Sequence, residues 1–338
     1  MTTPSIIRTA VVGAGFFGRY HAQQYSTLPG VELVGVVDHD PVSAARLASE
    51  VGCRPYTDPN DLADLIDAVS VVTPTIAHFA VADAFLRRGV AVLAEKPIAA
   101  SLDEARSLVR TAQQQGAILQ VGHVERFNPV WNAFENAPIR PTFIEARRAS
   151  PYPFRSLDVS VVFDVMIHDI DLVLAAAASP VVAVDAVGSR QLSPSCDSAE
   201  AFLTFSSGAR AHLSVSRVHH RTERTMRIAS DAEALDLDFF ERKSVRHRLR
   251  PTAAFTPSFK APTTPEERER RLAELFESTT TQHDKSAQPL RTELESFIDC
   301  VRNGTSPKVD GEAGLQALAV AQQIEMRIES SRSLRKAA

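Results

Sequence analysis

A glycine-rich turn near the start of the chain constrains the fold most. Gly13, Gly15 and Gly18 lie in the segment GAGFFG, which follows an apolar run at Thr9–Val12 and opens a helical pattern. In such a strand–turn–helix unit the first glycine permits a tight turn and the second lets the backbone approach a ligand. The third lets the helix pack closely on the strand. The pattern therefore predicts the first βα unit of a parallel sheet.

Strands and helices alternate over the first 122 residues. Short apolar β-rich runs are predicted as strands at Thr9–Val12, Glu32–Val37, Ala68–Thr73, Val90–Ala94 and Ile118–Val121. Helical patterns lie between them at Gly18–Leu28, Pro41–Val51, Ala77–Arg88 and Ser101–Gln115. Nearly continuous apolar strands that alternate with helices are typical of a parallel sheet covered on both faces. Residues 1–122 are therefore predicted to form a Rossmann-type, doubly wound α/β domain.

The pattern changes after residue 122. Strands are predicted at Thr142–Arg148, Val181–Val187, Glu200–Phe205 and Ala209–Ser216, with a hairpin turn at Ser206-Ser207-Gly208. Helices are predicted at Ser160–Ala177, Leu290–Arg302 and Gly311–Arg327. Residues 123–338 are therefore predicted to be an α+β domain on an open, mostly antiparallel sheet. Within it, residues 250–289 contain a short helix, ERERRLAELFE, and are an arm, a lid or an insertion.

Composition excludes several classes of protein. The 338 residues include 37 Lys+Arg and 41 Asp+Glu, a formal charge of −4, which provides no broad attraction for nucleic acid or anionic membranes. Three dispersed cysteines form neither a disulfide framework nor a zinc ligand set, and no metal-binding spacing is present. No apolar stretch approaches the roughly 20 residues of a membrane span. We expect a cytoplasmic protein with two domains.

The glycine-rich turn is predicted to bind a dinucleotide. The pyrophosphate would lie on the helix N-terminus, where free N–H groups favour anions. Asp38, 20 residues after Gly18, ends the next predicted strand and is placed to accept hydrogen bonds from the adenosine ribose. Its carboxylate would repel a 2′-phosphate, so NAD is predicted rather than NADP. His39 would soften this preference, but no arginine adjoins Asp38.

Four further motifs follow the predicted strands or lie on the helix of the second domain. They are Thr73-Pro74-Thr-Ile-Ala-His78, Glu95-Lys96-Pro97, Gly122-His123-Val-Glu-Arg126-Phe127-Asn128-Pro129 and Asp164-Val-Met-Ile-His168-Asp169-Ile-Asp171. In this order, behind a dinucleotide fingerprint, they resemble the Gfo/Idh/MocA family of sugar and cyclitol oxidoreductases over nearly the whole chain. The resemblance implies hydride transfer between a sugar-like hydroxyl and the nicotinamide, with substrate held between the domains.

The resemblance also implies roles for particular residues. Lys96 matches the catalytic lysine of the family, His168 its general base, and Asp164 the acidic companion of that histidine. An imidazole is suited to removing a hydroxyl proton near neutral pH, and an ammonium stabilises a developing alkoxide. Asp164 and His168 are four residues apart, which predicts one helix face. Cofactor contacts are predicted for Gly13, Gly15, Phe16, Phe17, Gly18, Asp38, Thr73, Pro74, His78, Glu95 and Lys96.

Several of these residues have a structural interpretation as well. His168 is either catalytic or a satisfied core histidine, Lys96 is either functional or a solvated charge, and His78 either contacts cofactor or caps a helix. Arg126 and Asn128 either hold substrate or fix the interdomain linker, and in the structural interpretation Asp169 is simply a polar neighbour of His168. Substrate contacts are predicted for Lys96, His123, Arg126, Asn128, Arg148, Asp164, His168 and His220. Met166 departs from the family, in which many members have glycine at this position of the motif.

The segment GHVERFNP and the basic region at 250–275 suggest a narrower resemblance. They are similar to the bacterial branch of the family that oxidises UDP-N-acetylglucosamine to its 3-keto form, before a PLP-dependent aminotransferase makes a 3-amino sugar for lipid A. A diphosphate needs cationic or N–H donors. The candidate donors, which are either a clamp or a solvated loop, are Arg147, Arg148, Arg155, His219, His220 and Arg221.

Other functions stay open at this stage. A free-sugar or myo-inositol dehydrogenase of the same family would need no diphosphate clamp. A non-catalytic NAD-binding regulator would need no Lys96 and His168 pair. The family implies homodimers or homotetramers, and the exposed face of an antiparallel sheet is commonly buried by a partner subunit.

Overall fold

A computed structural model describes residues 6–154, 158–250 and 261–337. The chain forms two compact units, each built from more than one segment. The first contains Met1–Phe127 and Gln288–Gln322, and the second contains Asn128–Ala287 and Gln323–Ala338. The C-terminal helix at residues 289–303 thus belongs to the first unit, whereas the sequence analysis placed it in the second domain.

The first unit is built on a parallel sheet of six strands. Its strands are β1 Ile7–Val12, β2 Val31–Val37, β3 Arg54–Tyr56, β4 Ala68–Val71, β5 Ala91–Glu95 and β6 Leu119–Gly122. Their order across the sheet is β3-β2-β1-β4-β5-β6, and all neighbours are parallel. The order reverses beside β1, where doubly wound sheets bind their ligands at the carboxyl ends of the strands. The predicted fold class is confirmed, and β3 is an additional strand.

Among the residues that the structure describes, five α-helices belong wholly to this unit. They are α1 Phe16–Tyr25, α2 Pro41–Val51, α3 Thr75–Leu86, α4 Leu102–Gln115 and, from the C-terminal region, Pro289–Asn303. Short 3-10 turns lie at Pro59–Leu62 and Val124–Phe127. The predicted start of α4 is confirmed, because Ser101 and Glu104 form a capping box, and Gly116 ends the helix with φ 63°. Helix α2 also begins at a local signal, because the N-cap side chain of Asp40 accepts hydrogen bonds from the N–H groups of Val42 and Ser43.

The core of the first unit includes residues from both ends of the chain. Val11 and Tyr25, from β1 and α1, are buried together with Leu294, Phe297 and Ile298 of the C-terminal helix. Burial of large apolar side chains contributes about 1.5–3 kcal/mol each. The core beside the parallel sheet is thus completed by sequence that lies about 170 residues after the last strand of that sheet.

The second unit is built on a mixed sheet of eight strands. The strands are β7 Phe143–Ala149, β8 Val181–Ser189, β9 Ser198–Phe205, β10 Arg210–Ser216, β11 Glu223–Ala229, β12 Glu233–Asp238, β13 Lys243–Leu249 and β14 Phe276–Gln282. Their order is β14-β13-β12-β11-β7-β10-β9-β8. All neighbours are antiparallel except β7 and β10, which are parallel. The mostly antiparallel sheet and the β9–β10 hairpin confirm the prediction, which lacked β11 to β14.

The helices of this unit are α5 Asn132–Glu135, α6 Ile167–Ala177 and α7 Pro265–Leu275. The Pro289–Asn303 helix of the first unit is α8 in chain order. The last helix, α9, spans Gly311–Ala337 and contributes to both units. Helix α6 packs on β7 and β10. The predicted helix at Ser160–Ala177 is not regular, because a π-helical turn at Val162–Met166 precedes α6. Helix α7 corresponds to the predicted ERERRLAELFE helix, and its last two predicted residues, Phe276 and Glu277, instead begin β14.

Candidate active site

The three glycines of the first turn have different surroundings. A Cβ atom on Gly18 would lie 1.8 Å from the carbonyl oxygen of Gly13, and one on Gly13, at φ 110°, would lie 2.5 Å from that of Val72. A Cβ atom on Gly15 would have no protein atom within 4 Å. Gly13 and Gly18 are therefore required for packing, whereas Gly15 keeps open a space beside the helix that a phosphate group fits.

The N-terminus of α1 is suited to an anion. Gly15 is the N-cap residue, no side chain caps the helix, and its first turn contains no acidic residue. The N–H groups of this turn and the helix dipole therefore favour a negatively charged group. Phe16, Phe17 and Tyr20 form an exposed aromatic cluster on the same helix, with Phe16 5.4 Å and 5.1 Å from the other two rings. Tyr20 was not among the predicted cofactor residues.

Asp38 follows β2 and is oriented by three donors. Its Oδ2 accepts a hydrogen bond from the N–H of Ala14 at 2.7 Å. Its Oδ1 accepts one from the N–H of Asp40 at 3.0 Å and lies 3.0 Å from His39 Nδ1. Oδ2, which has one partner, has room for a further hydrogen bond. The open space at Gly15, the uncapped helix and this carboxylate together fit NAD.

His78 joins two turns at the carboxyl edge of the sheet. Its ring is buried, with Nδ1 2.8 Å from the carbonyl oxygen of Pro97 and Nε2 2.8 Å from that of Thr73. Burial lowers the pKa of His78, and the two carbonyls and Glu95 offset this only in part. The side chain thus contacts backbone carbonyls, which neither interpretation of the sequence included. Its contact with cofactor stays a prediction, as do those of half-buried Thr73 and exposed Pro74.

Lys96 is half-buried in a turn directly after β5, and its peptide bond to Pro97 is cis. Glu95 Oε2 accepts a hydrogen bond from the Lys96 N–H at 3.1 Å, and Glu95 Oε1 lies 3.1 Å from Nε2 of buried His21. Burial raises the pKa of Glu95, but the hydrogen bond and charge of His21 and the charge of Lys96 outweigh it, so the pKa is lowered. Sequence reasoning missed His21, whose signal was its place three residues after Gly18 on α1.

The segment after β6 is held by buried residues. His123 is buried, and the carbonyl of Arg126 accepts a hydrogen bond from Lys308 Nζ at 2.8 Å. Asn128 belongs to the second unit, where its side-chain oxygen accepts hydrogen bonds from Arg242 and from the N–H of Val130. The side chain of Asn128 therefore fixes its own segment, and the substrate contacts of all three predicted residues stay predictions.

In the second unit, His168 lies in the first turn of α6, and Asp164 lies in the preceding π-helical turn. The N–H of Ile167 donates to the carbonyl oxygen of Val162, which is the i to i+5 spacing of a π-helix. Both Asp164 and His168 are half-buried, and Nδ1 of His168 is a buried atom. Single π-helical turns occur frequently at functional sites. The catalytic pairing of these two residues stays a prediction.

Arg148 and Asp169 form a buried ion pair beside His168. Arg148 Nε lies 3.1 Å from both carboxylate oxygens of Asp169, and Nη2 lies 2.8 Å from Oδ1. Both side chains are over nine-tenths buried. The pair ties the first turn of α6 to β7, so Asp169 is more than a polar neighbour. Arg148, predicted to bind substrate, has its guanidinium bound to this carboxylate.

A second buried ion pair, Arg217 with Asp197, lies close to the same helix. Arg217 Nε is 2.9 Å from Asp197 Oδ1, and Arg217 Nη1 donates to the carbonyl oxygen of Val159, at 2.8 Å. Asp197 Oδ2 accepts three backbone N–H groups, from residues 191 to 193. Burial raises the pKa of Asp197, but its hydrogen bonds outweigh burial and hold the pKa far below the usual range. Sequence reasoning missed this pair, since nothing local connects the two residues.

The basic residues proposed as a diphosphate clamp have mixed surroundings. Arg147 and Arg221 both form ion pairs with Glu223, and these hydrogen bonds lower the pKa of Glu223 to about 2. His219 and His220 have ring centroids 4.3 Å apart, and His220 is exposed. Arg155 lies outside the described residues. The three described arginines among the clamp candidates, Arg147, Arg148 and Arg221, are thus all paired with a carboxylate.

In the part of the chain that the structure describes, no group of three His, Cys, Asp or Glu side chains is arranged to hold a metal ion. No helix within those residues has the length and apolar character needed to cross a bilayer.

Two family profiles match the chain. Residues 7–123 match the oxidoreductase family with an NAD-binding Rossmann fold, and residues 131–235 match the GFO/IDH/MocA C-terminal domain. The UDP-N-acetylglucosamine 3-dehydrogenase of Acidithiobacillus ferrooxidans is 33% identical over 96% of this chain and 98% of its own length. The chain belongs to the Gfo/Idh/MocA family and is an NAD-dependent oxidoreductase.

Solved structures of relatives have the same fold. The Acidithiobacillus ferrooxidans UDP-N-acetylglucosamine 3-dehydrogenase superposes with a TM-score of 0.86 over 96% of this chain and 98% of its own. The inositol 2-dehydrogenase of Rhizobium meliloti is 26% identical over 97% of this chain and 98% of its length. This chain is thus similar to a sugar-nucleotide enzyme and, at lower identity, to a cyclitol enzyme.

Proposed function

We propose that this protein oxidises the 3-hydroxyl of UDP-N-acetylglucosamine to a ketone with NAD. The observation that carries the proposal is the Lys96 turn at the carboxyl edge of an NAD-binding sheet, where Glu95 and Pro97 are contacted by buried His21 and His78. The full-length similarity to a UDP-N-acetylglucosamine 3-dehydrogenase supports the choice of substrate.

The proposed chemistry divides between two side chains. Bound NAD accepts the hydride, with its electron pair, from the carbon that bears the hydroxyl. His168 accepts the hydroxyl proton at Nε2, because its Nδ1 is buried. The Lys96 ammonium stabilises the negative charge that develops on the oxygen. Asp164 is proposed to orient the imidazole, and Gly15 with the N-terminus of α1 to bind the pyrophosphate of NAD.

The test measures NADH formation with purified protein and NAD. The panel contains UDP-N-acetylglucosamine, N-acetylglucosamine, glucose and myo-inositol, with a hydrazine trap because alcohol oxidation by NAD is uphill. We expect trap-dependent NADH with the sugar nucleotide only. Lys96→Ala and His168→Ala should each lower kcat by about 10²–10⁴. Lys243→Ala and His247→Ala, on the second sheet, are matched controls that should keep wild-type rates.

One observation favours a second candidate, a free-sugar or inositol dehydrogenase. Arg147 and Arg221 are paired with Glu223, and a relative of nearly full-length coverage is an inositol 2-dehydrogenase. Turnover of myo-inositol with none of the sugar nucleotide would establish this alternative. In that case, His220→Ala should leave the KM for myo-inositol unchanged. If His220 instead contacts the diphosphate of a sugar nucleotide, His220→Ala should raise the KM for that substrate.

The proposed product also suggests the next reaction. A 3-keto sugar nucleotide is a substrate for a PLP-dependent aminotransferase, and we propose this step, leading to lipid A, as the use of the ketone. Addition of such an aminotransferase with an amino donor should replace the hydrazine trap in the assay. NADH formation that needs the chemical trap in every case would argue against this assignment.

We propose a homodimer or homotetramer formed through the open face of the second sheet. Phe143 and Phe202 are exposed on β7 and β9, and exposed apolar patches mark interaction surfaces. Light scattering should give a mass of two or four chains, and Phe202→Glu should lower it. A monomeric wild-type mass would contradict the proposal.

A further inference from the structure

Two buried imidazoles contact the turn that carries Lys96. His21 reaches it from α1, and His78 reaches it from α3; their exposed fractions are 0% and 1%. Neither ring is accessible to substrate, so neither can act on it directly. Both histidines nevertheless approach the residues on either side of Lys96, which are Glu95 and Pro97.

His21 acts on the N-terminal side of Lys96. Its Nε2 lies 3.1 Å from Glu95 Oε1, and the other oxygen of that carboxylate accepts the Lys96 N–H at 3.1 Å. Gly122 of β6 leaves the space for this carboxylate, because a Cβ atom there would lie 2.9 Å from Glu95 Cδ and Oε1. An unbroken chain of contacts therefore runs from the imidazole through the carboxylate to the backbone of Lys96.

His78 acts on the C-terminal side. Its Nδ1 is 2.8 Å from the carbonyl oxygen of Pro97, and its Nε2 is 2.8 Å from that of Thr73. The ring thus connects the residue after Lys96 to the turn that follows β4. A neutral imidazole carries one N–H, so it donates to one of these two carbonyl oxygens at a time, and donation to Pro97 places that proton on Nδ1. Substitution by an amide can restore a donor at either nitrogen position separately.

A lysine side chain has four flexible carbons, so the position of its ammonium depends on a fixed backbone. Displacement of a reacting group by about 1 Å can cost a factor of about 100 in rate. We propose that His21 and His78 are positioning residues for Lys96, His21 through the carboxylate of Glu95 and His78 through the carbonyl of Pro97. The catalytic consequence rests on the role of Lys96 in the proposed function.

Two amides test the two contacts of His78 separately. The side-chain amide nitrogen of Asn lies close to the position of His Nδ1. The amide nitrogen of Gln, which is one carbon further from the backbone, lies close to the position of His Nε2. His78→Asn should keep the Pro97 contact and a kcat within about threefold of wild type, while the KM for NAD rises as the Thr73 contact is lost. His78→Gln should lower kcat at least about tenfold with the dissociation constant of NAD unchanged. Equal effects of the two variants on kcat and on NAD binding would overturn the proposal.

The contact of His21 is tested without cofactor or turnover. Hydrogen–deuterium exchange of the peptide that contains the Lys96 amide is measured in the cofactor-free full chain. His21→Leu should speed exchange at Lys96 by about tenfold, and His21→Gln, which restores a donor at Nε2, should return it towards wild type. His212→Leu is the matched control, since it removes another His–Glu pair, with Glu200 on the second sheet. Unchanged exchange in His21→Leu would overturn the role of His21.

These results separate the inference from the function on which it rests. If Lys96→Ala keeps full activity, the proposed catalytic role of Lys96 is wrong. The claim that His21 and His78 affect catalysis through Lys96 is then wrong as well, whatever the hydrogen–deuterium exchange rates are. If Lys96→Ala is inactive but His21→Leu exchanges as wild type and the two His78 amides behave alike, only the positioning proposal fails. A folded His78→Gln protein with normal NAD affinity and low kcat supports both.

Discussion

The turn that carries Lys96 and the helix that carries His168 are held in place by different contacts. Around Lys96, the His78 imidazole and the Glu95 carboxylate contact backbone groups at the carboxyl edge of the parallel sheet, and His21 contacts that carboxylate. Around His168, two buried arginines pair with two buried carboxylates, Asp169 and Asp197. Backbone contacts of this kind follow from the fold, whereas a buried ion pair depends on both partners being present. The second region should therefore be the more sensitive to single substitutions.

The largest effect is expected where a buried charge loses its partner. Arg217→Met leaves Asp197, which is fully buried, without its guanidinium, and should lower the free energy of unfolding by about 3–5 kcal/mol. Urea unfolding measures this loss. Arg227→Met removes a comparable but exposed pair with Asp236 and should cost under about 1 kcal/mol. Equal losses for the two variants would show that burial of the pair is not what stabilises the region.

A charge-conserving substitution gives a smaller loss and tests geometry. Arg148→Lys keeps the positive charge but cannot reproduce the three contacts of the guanidinium with Asp169. The free energy of unfolding should therefore fall by about 1.5–3 kcal/mol. Because Asp169 adjoins His168, kcat should fall more than KM rises. Arg147→Lys, in the same strand but part-exposed, should change stability by under about 1 kcal/mol. A neutral Arg148→Lys would mean that charge alone holds the start of α6.

In the first unit, which also contains Lys96, Gly15→Ala should weaken the binding of NAD without changing the free energy of unfolding of the cofactor-free protein. No protein atom lies within 4 Å of the added Cβ position, so cofactor-free unfolding should match wild type. The methyl group would enter the space proposed for the pyrophosphate, and NAD affinity should fall about tenfold, or about 1.4 kcal/mol. Fluorescence titration with NADH measures this. Unchanged affinity would place the pyrophosphate elsewhere.

The smallest expected effect concerns acid stability. The pKa of buried His78 is lowered from its ordinary 6.5, so below about pH 6.5 the unfolded chain binds a proton more readily than the folded chain. Stability therefore falls as the pH falls through this range. The melting temperature of His78→Asn should decline less than that of wild type between about pH 7 and 5.5. His247→Asn, at an exposed position, should decline as wild type does; an identical slope for His78→Asn would contradict the lowered pKa.

Local signals were enough to predict most of the first unit. The glycine spacing, the acid after β2 and the capping box of α4 each involve neighbouring residues, and they lie where the sequence placed them. Strands β11 to β13 were not predicted. In β11, buried Met226 and Ile228 do alternate with exposed residues, but the charged residues between them made the alternation of apolar and polar residues too short to recognise in the sequence.

The site of the second unit was less predictable for a physical reason. Arg148 was assigned to substrate because a basic residue near a diphosphate site suggests a clamp, and its pairing with Asp169 depends on strand-to-helix packing across 21 positions. Arg217 and Asp197 lie 20 positions apart, and no helical or strand periodicity of the sequence relates the two residues. Contacts of this range follow from tertiary structure, and a single sequence gives no signal for them.

The divided first unit has a consequence for the order in which the protein is made. A ribosome completes all six strands of the parallel sheet before it synthesises Leu294, Phe297 and Ile298, which complete the core beside Val11 and Tyr25. Until then the nascent sheet exposes an apolar surface to chaperones and to other nascent chains. A fragment ending at residue 122 keeps that exposed surface permanently, so it should aggregate, while a late nonsense mutation that removes α8 should damage the nucleotide-binding end of the enzyme first.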